Sequence, residues 1–143
     1  MQAALSRMFE MRQIHKRYVA VVDGHMNKND DWQLIDLPIA PSWPDRPLSV
    51  VCAEGKPSQT RWRAVRYDSA ANTTRVELEP VTGRSHQLRV HLKALGHPVL
   101  GDALYAPADV AARASRLLLH ACELQFLHPA SGVAMALKND PTF

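Results

Sequence analysis

Two spacings of apolar residues alternate along this chain. A step of three or four predicts a helix, and a step of two predicts a strand with one solvated face. From Gln2 to Ile14 the step is helical, with Leu5, Met8, Phe9 and Arg12 recurring and no proline between them. His15-Lys16-Arg17-Tyr18 then leads into the run Val19-Ala20-Val21-Val22, read as a strand ending at Asp23-Gly24. Trp32 to Ile39 reads as a second strand, which runs into the proline-rich stretch Pro38 to Pro47. That stretch cannot be regular sheet, because each proline removes a ladder donor. It reads as an ordered surface loop, or as a substrate-contacting loop carrying Trp43 and Arg46.

Val50-Val51-Cys52-Ala53 is a short strand, and Glu54-Gly55-Lys56-Pro57-Ser58 a turn. Over Gln59 to Tyr67, Thr60, Trp62 and Ala64 point one way and Arg61 and Arg63 the other. Over Thr74 to Pro80, Val76 and Leu78 oppose Arg75, Glu77 and Glu79. Joined by Asp68 to Asn72, these two segments predict an antiparallel hairpin. A helix follows, with Ser85 as N-cap, Gly96 just past its C-terminus and Pro98 blocking continuation. Pro107 to Arg116 predicts another short helix. Leu117 to Leu127 and Val133 to Leu137 predict a second hairpin about His128 to Gly132. This order predicts an α+β fold on a largely antiparallel sheet with few helices.

The bulk numbers narrow the class. A length of 143 residues favours one domain with a real core. With 46% hydrophobic and 22% charged residues, the composition is that of a globular protein rather than a disordered one. No apolar run approaches the roughly 20 residues needed to span a bilayer. The opening Met1 to Arg7 is not followed by a signal-peptide core, which predicts a cytoplasmic protein. Cys52 and Cys122 lack metal-type spacing and read as buried free thiols in a reducing compartment. A net charge of +3 suits a polyanionic partner such as RNA without proving one.

The chemistry concentrates in Thr82-Gly83-Arg84-Ser85-His86-Gln87-Leu88-Arg89-Val90-His91 and, just beyond, Leu95 to Asp102. On a helix starting near Ser85, Leu88, Leu92 and Leu95 share one face and predict a buried stripe. His86, Arg89 and Lys93 gather on the other side. The bland reading of such a stripe is a solvated cationic face. Two details argue for more: the bases are not interleaved with acids, and Gly83-Arg84 stands at a helix start, where backbone donors favour anions. A metal site is not predicted, because His86 and His91 are five apart and no cysteine or acidic cluster accompanies them. There is neither a glycine-rich nucleotide loop nor a Gly-x-Ser-x-Gly elbow.

Taken together, Lys16-Arg17-Tyr18-Val19-Ala20, the Gly83 to His91 motif, Gly96 to Asp102 with Tyr105, and Leu117-Leu118-Leu119-His120-Ala121 closely resemble the RluA family of pseudouridine synthases. That family isomerises uridine to pseudouridine in structured RNA. Trp43-Pro44 and the stretch through Gly55 to Thr60 are similar to the branch acting on both 23S ribosomal RNA and transfer RNA. The resemblance implies that Tyr18 stacks on a flipped-out uracil and, in one proposal, takes the proton from C5. It implies that Arg89 pairs with a catalytic aspartate, that Lys16, His86 and Gln87 contact RNA, and that Arg84 helps bind RNA or the site backbone. Val99 or Leu100 would line the apolar side of the base pocket, and no cofactor or metal would be needed. A flipped base fits an aromatic platform in a cationic cleft.

The family's nucleophile lies in an Arg-Leu-Asp segment N-terminal to the Lys-x-Tyr strand, and the 143 residues contain no such segment. Asp102 belongs to the family's Gly-Asp turn and reads as structural. The expectation is a single, incomplete catalytic domain over residues 1–143, inactive alone, with Arg89 deprived of its carboxylate and an open sheet edge prone to self-association. The alternatives are a catalytically inactive RNA-binding module and an obligate oligomer.

Overall fold

In the computed structural model, which describes residues 15–42, 48–127 and 134–143, the alternating segments become strands. The helix expected over Gln2 to Ile14, the loop tip with Trp43 and Arg46, and the His128 to Gly132 turn lie outside the described residues. The strands are β1 (His15–Asp23), β2 (Gln33–Asp36), β3 (Ile39–Pro41), β4 (Ser49–Val51), β5 (Gln59–Asp68), β6 (Thr73–Pro80), β7 (Leu119–Leu127) and β8 (Ala134–Lys138). The helices are α1 (Gln87–Ala94) and the single turn α2 (Ala108–Ala111). Six strands form one antiparallel sheet in the order β2-β5-β6-β1-β7-β8, and β3 pairs with β4 separately. This is the α+β, largely antiparallel fold that the sequence predicts.

Register follows from burial. Tyr18 faces Leu78 and Ala20 faces Val76 across β1 and β6, while Trp62 faces Leu78 and Ala64 faces Val76 across β5 and β6. A one-residue slip would move this row to the solvated face. Ala20, Val22, Val76, Leu78, Leu92 and Val99 are completely buried in one cluster, to which α1 also contributes Leu88. Each large member contributes about 1.5–3 kcal/mol by leaving water. Thr74, in the same row, is tolerated because its hydroxyl accepts from the Met26 N–H and donates to the Gly24 carbonyl. A smaller cluster of Ile39, Val90 and Tyr105 fastens the β3–β4 hairpin to another side of α1.

The other face of the sheet is polar and internally paired. Glu79, nearly fully buried, takes His15 Nε2 at 2.7 Å, Arg17 Nη2 at 3.0 Å and Arg61 Nη1 at 2.9 Å. Trp32 lies within 5.6 Å of the Arg17, Arg61 and Arg63 guanidinium carbons. These arginines serve the fold.

Several boundaries depart from expectation. The predicted strand Trp32 to Ile39 breaks at Leu37-Pro38, because Pro38 has no N–H to continue a ladder, so β2 pairs with β5 and β3 with β4. The helix predicted over Pro107 to Arg116 is reduced to α2. Leu95, expected in the buried stripe, is 36% exposed, since the helix ends before it and Val90 and His91 are buried instead. The C-terminus of α1 behaves as predicted. Gly96 has φ +86°, its N–H bonds to Lys93 O, and the His97 N–H bonds to Leu92 O. Both cysteines are free, but each is half-buried rather than buried. Among the described residues β2 and β8 are the outer strands of the sheet, and Leu34 and Leu137 on them are exposed. Among the described residues no helix is long and apolar enough to cross a membrane.

Candidate functional site

A cleft of about 350 Å³ opens between β1, the start of α1 and the segment that runs into β7. Its apolar wall is Tyr18, Leu88, Leu117 and Leu119, and Lys16, Arg84, His86 and Arg89 also line it. The structure thus brings together the β1 tyrosine, the Gly83 to His91 motif and the leucine run, which are distant in sequence.

Tyr18 stands on the core side of β1 with Ala20 and Val22, and is half-buried. The pairing of β1 with β7 shifts register between Arg17 and Tyr18, an irregularity of the kind that re-aims a side chain beside a site. Burial pushes the Tyr18 phenol above its ordinary value, so the ring is neutral at physiological pH.

The start of α1 differs from expectation. Ser85 is not the N-cap: His86 occupies that position with φ +56°, and no side chain caps the helix. Gln87 performs the holding instead. Its Oε1 accepts from Thr82 Oγ1 at 2.7 Å and from the Arg84 N–H at 3.0 Å, and its Nε2 donates to Gln59 O and Thr60 Oγ1. Gln87, expected on the RNA, is therefore 4% exposed with its amide fully used inside the protein. It shapes the Thr82 to His86 loop.

The same chain of bonds continues inward. Thr60 Oγ1 meets His91 Nδ1 at 2.8 Å, and His91 Nε2 meets the Leu37 carbonyl at 2.8 Å. The carbonyl can only accept, so Nε2 carries the proton and Nδ1 accepts from Thr60. His91 is completely buried, and burial lowers its pKa despite the Leu37 bond. Unfolded histidine takes up a proton near pH ~6.5, before the folded ring does. Stability is thus fully present above that value and is lost as pH falls from there through the lower folded value. Urea midpoints should fall from about pH 7.5 to about pH 5, and fall less in His91→Gln. A flat profile would contradict a buried neutral ring.

His86 Nδ1 lies 2.6 Å from the Tyr105 hydroxyl, which accepts from the Ser49 N–H at 2.9 Å. Burial first, then the Arg89 charge, lower the His86 pKa. His86 is thus a neutral brace between α1 and the β3–β4 hairpin rather than a member of a cationic stripe.

Arg89 overturns one expectation outright. It does not lack a carboxylate: Asp102 Oδ2 accepts from Nε at 3.0 Å and Oδ1 from Nη2 at 2.7 Å. Asp102 Oδ1 also accepts the Leu104 and Tyr105 N–H groups at 3.1 Å. Burial pushes the Asp102 carboxyl up, but the Arg89 bonds and charge, with the two N–H groups, outweigh it and hold the pKa down. The hydrogen bond to Asp102 likewise raises the Arg89 pKa. Tyr105 lies beneath the guanidinium at 5.1 Å. The nearness of Gly101-Asp102 to the helix in sequence was the available signal, but spacing alone does not show the chain folding back.

Val99 and Leu100 are not in the cleft. Val99 bridges to Val22, and Leu100 exchanges backbone bonds with Val21 and Leu118, so both are buried in the sheet's core. Leu88, Leu117 and Leu119 take the pocket-lining place, because the leucine run feeds into β7 beside Tyr18. Arg84 lines the cleft while Nε and Nη2 donate to the Pro57 carbonyl at 3.2 and 2.9 Å. Among the described residues no group of three or more His, Cys, Asp or Glu side chains could hold a metal.

Comparison with known proteins agrees with this geometry. The RNA pseudouridylate synthase family model matches residues 1–94. The dual-specificity RNA pseudouridine synthase RluA of Escherichia coli (strain K12) is 51% identical over 140 residues, covering 97% of this chain and 63% of that protein. The RluA of Vibrio vulnificus (strain CMCP6) is 51% identical over 134 residues, covering 91% and 53%. The solved structure of human RNA pseudouridylate synthase domain containing 1 superposes with a TM-score of 0.84 at 30% identity, over 99% of this chain and 60% of that one. The chain spans less than two thirds of the length of these relatives. The motif at the start of α1, the fold that carries it and the family match over most of the chain establish that it belongs to the RNA pseudouridylate synthase family.

Proposed function

We propose that the Tyr18 cleft holds a uridine turned out of structured RNA, and that residues 1–143 are the base-binding part of a single pseudouridine synthase domain. The reaction would be the family's isomerisation of uridine to pseudouridine in ribosomal or transfer RNA, in the cytoplasm. The observation that carries this reading is the cleft itself, with an aromatic and leucine wall beside basic side chains. A flipped base offers an apolar face to such a wall and its phosphates to such cations.

In this reading Tyr18 stacks on the uracil. Its phenol, kept protonated by burial, is not a preformed base for the C5 proton. Arg89 and Arg84 contact the nucleotide or a carboxylate beside it, and Lys16 lies on the RNA path. The isomerisation breaks the bond from N1 to the ribose, forms one from C5, and moves the C5 proton, with no change in composition and no cofactor. The nucleophilic carboxylate comes, in this proposal, from outside the 143 residues. Among the described cleft residues none is acidic, and Asp102 is engaged by Arg89.

The test has two arms. The chain should bind a transfer RNA anticodon stem-loop with an affinity that falls steeply with salt. It should release no tritium from RNA carrying C5-tritiated uridine, whereas a longer protein with an Arg-Leu-Asp segment should. Absence of binding at low salt would refute the RNA reading, and turnover by the chain alone would require a nucleophile among its own residues.

A further inference from the structure

Next to the base cleft lies a second hollow of about 480 Å³, between the β3–β4 hairpin and the loop before α1. The two share Gly83 and Arg84, so they adjoin, with Arg84 at the divide. The far wall is β3, where Ile39 is buried in the core and Ala40 and Pro41 present a partly exposed apolar surface. Lys56 projects from the turn that forms another side.

The cations here differ from the arginines that are committed to the sheet face and to the Asp102 turn. Among the described residues Arg17, Arg61, Arg63, Arg89 and Arg113 each pair with a carboxylate, whereas Arg84 and Lys56 pair with none. Arg84 is nonetheless held in place, because Nε and Nη2 both donate to Pro57 O. A fixed guanidinium without an acid, beside an exposed lysine, is a preorganised anion contact. Glu54 also lines the hollow, and the Cys52 thiol donates to it at 2.9 Å. That bond favours the carboxylate, which repels a phosphate from its own side and leaves the Arg84–Lys56 side open to one.

We propose that this hollow seats the nucleotide next to the target uridine, with its phosphate on Arg84 and Lys56 and its base against Ala40 and Pro41. The inference rests on the base-cleft reading, since adjacency to that cleft makes the occupant the next residue of the same RNA strand. A base on an apolar strip is sequence-tolerant, because every base has a stacking face.

Amide chemical-shift titrations of the chain with uridine 5′-monophosphate and with the trinucleotide ApUpA test this. Both probes should move Tyr18, Leu88 and Leu119. ApUpA alone should also move Ala40, Gly55 and Lys56, and should bind roughly tenfold tighter. Lys56→Glu should weaken ApUpA at least about fivefold and leave the monophosphate unchanged. Lys28→Glu, the same charge change at an exposed site between β1 and β2, should weaken neither. If ApUpA moves only the Tyr18 amides and Lys56→Glu is silent, the second subsite is wrong and the base cleft stands. If ApUpA moves Ala40, Gly55 and Lys56 while neither probe moves the Tyr18 group, the base-cleft reading is wrong and the hollow still binds RNA. If neither probe moves either group, both fail.

Discussion

Gly101→Ala is expected to prevent stable folding. Gly101 has φ +78°, a conformation that costs a residue with a side chain about 1 kcal/mol or more. A Cβ there would also stand 1.9 Å from the Arg116 carbonyl oxygen and 2.6 Å from its carbonyl carbon. That neighbour is backbone, held where Leu118 N–H bonds to Leu100 O, so it cannot swing aside. The expected loss is at least about 4 kcal/mol, a large share of the roughly 5–15 kcal/mol that stabilises a domain. Gly96→Ala is the matched comparison. Its φ is +86°, but nothing lies within 4 Å of the added carbon, so only the conformational cost of about 1 kcal/mol remains. Urea unfolding of both variants would show the difference, and equal midpoints would mean that the close approach at Gly101 carries no weight.

Asp102→Ala should cost about 3–5 kcal/mol, the second large effect. Asp102 is 1% exposed and the Arg89 side chain 16%, so the variant leaves a largely buried guanidinium without its carboxylate and removes the acceptor for two N–H groups. Replacing both partners, as in Arg89→Met with Asp102→Leu, should recover part of the loss, because no lone charge is then left in the interior. The pair also carries an acid dependence. The folded Asp102 pKa is depressed, so its contribution is present above the unfolded aspartate value of about 3.9 and is lost as pH falls through the folded value. Unfolding midpoints of the two single variants and the double variant measure the coupling directly. A neutral Asp102→Ala would mean that the pair is a surface contact. Because Arg89 lines the cleft, Asp102→Ala should also weaken RNA binding in conditions where the variant remains folded.

Both predictions fall on one turn, and the sequence shows that turn only in outline. Gly101-Asp102 reads as a structural turn from its residue types. That it fixes Arg89 follows only from the fold, which returns the chain alongside α1. The expectation of an unpaired Arg89 fails for that reason. Resemblance supplies a partner from elsewhere, while the structure offers Asp102, thirteen residues on. Val99 and Leu100 illustrate the converse. Two apolar residues beside a motif are compatible with either a pocket wall or a core, and burial, which depends on the whole sheet, chose the core. Gln87 and His86 look like RNA-facing polar groups in the motif. Their partners Gln59, Thr60 and Tyr105 lie 19 to 28 residues away, so spacing on one helix could not reveal them.

The amino-acid sequence by itself determined the strands β1, β5, β6 and β7, the end of α1 at Gly96 and the family. These depend on short-range matters: alternation that suits a half-buried sheet, a glycine where φ is positive, and a motif read directly in order. The tertiary structure alone decided which polar groups are free to act. It committed Gln87, His91 and Asp102 to internal bonds, brought Tyr18, Leu119 and the start of α1 into one cleft, and left Arg84 and Lys56 without a carboxylate partner among the described residues. Hydrogen bonds and ion pairs between distant segments exist only once the sheet has closed around them. That is why the motif names the chemistry while the fold assigns it to particular side chains.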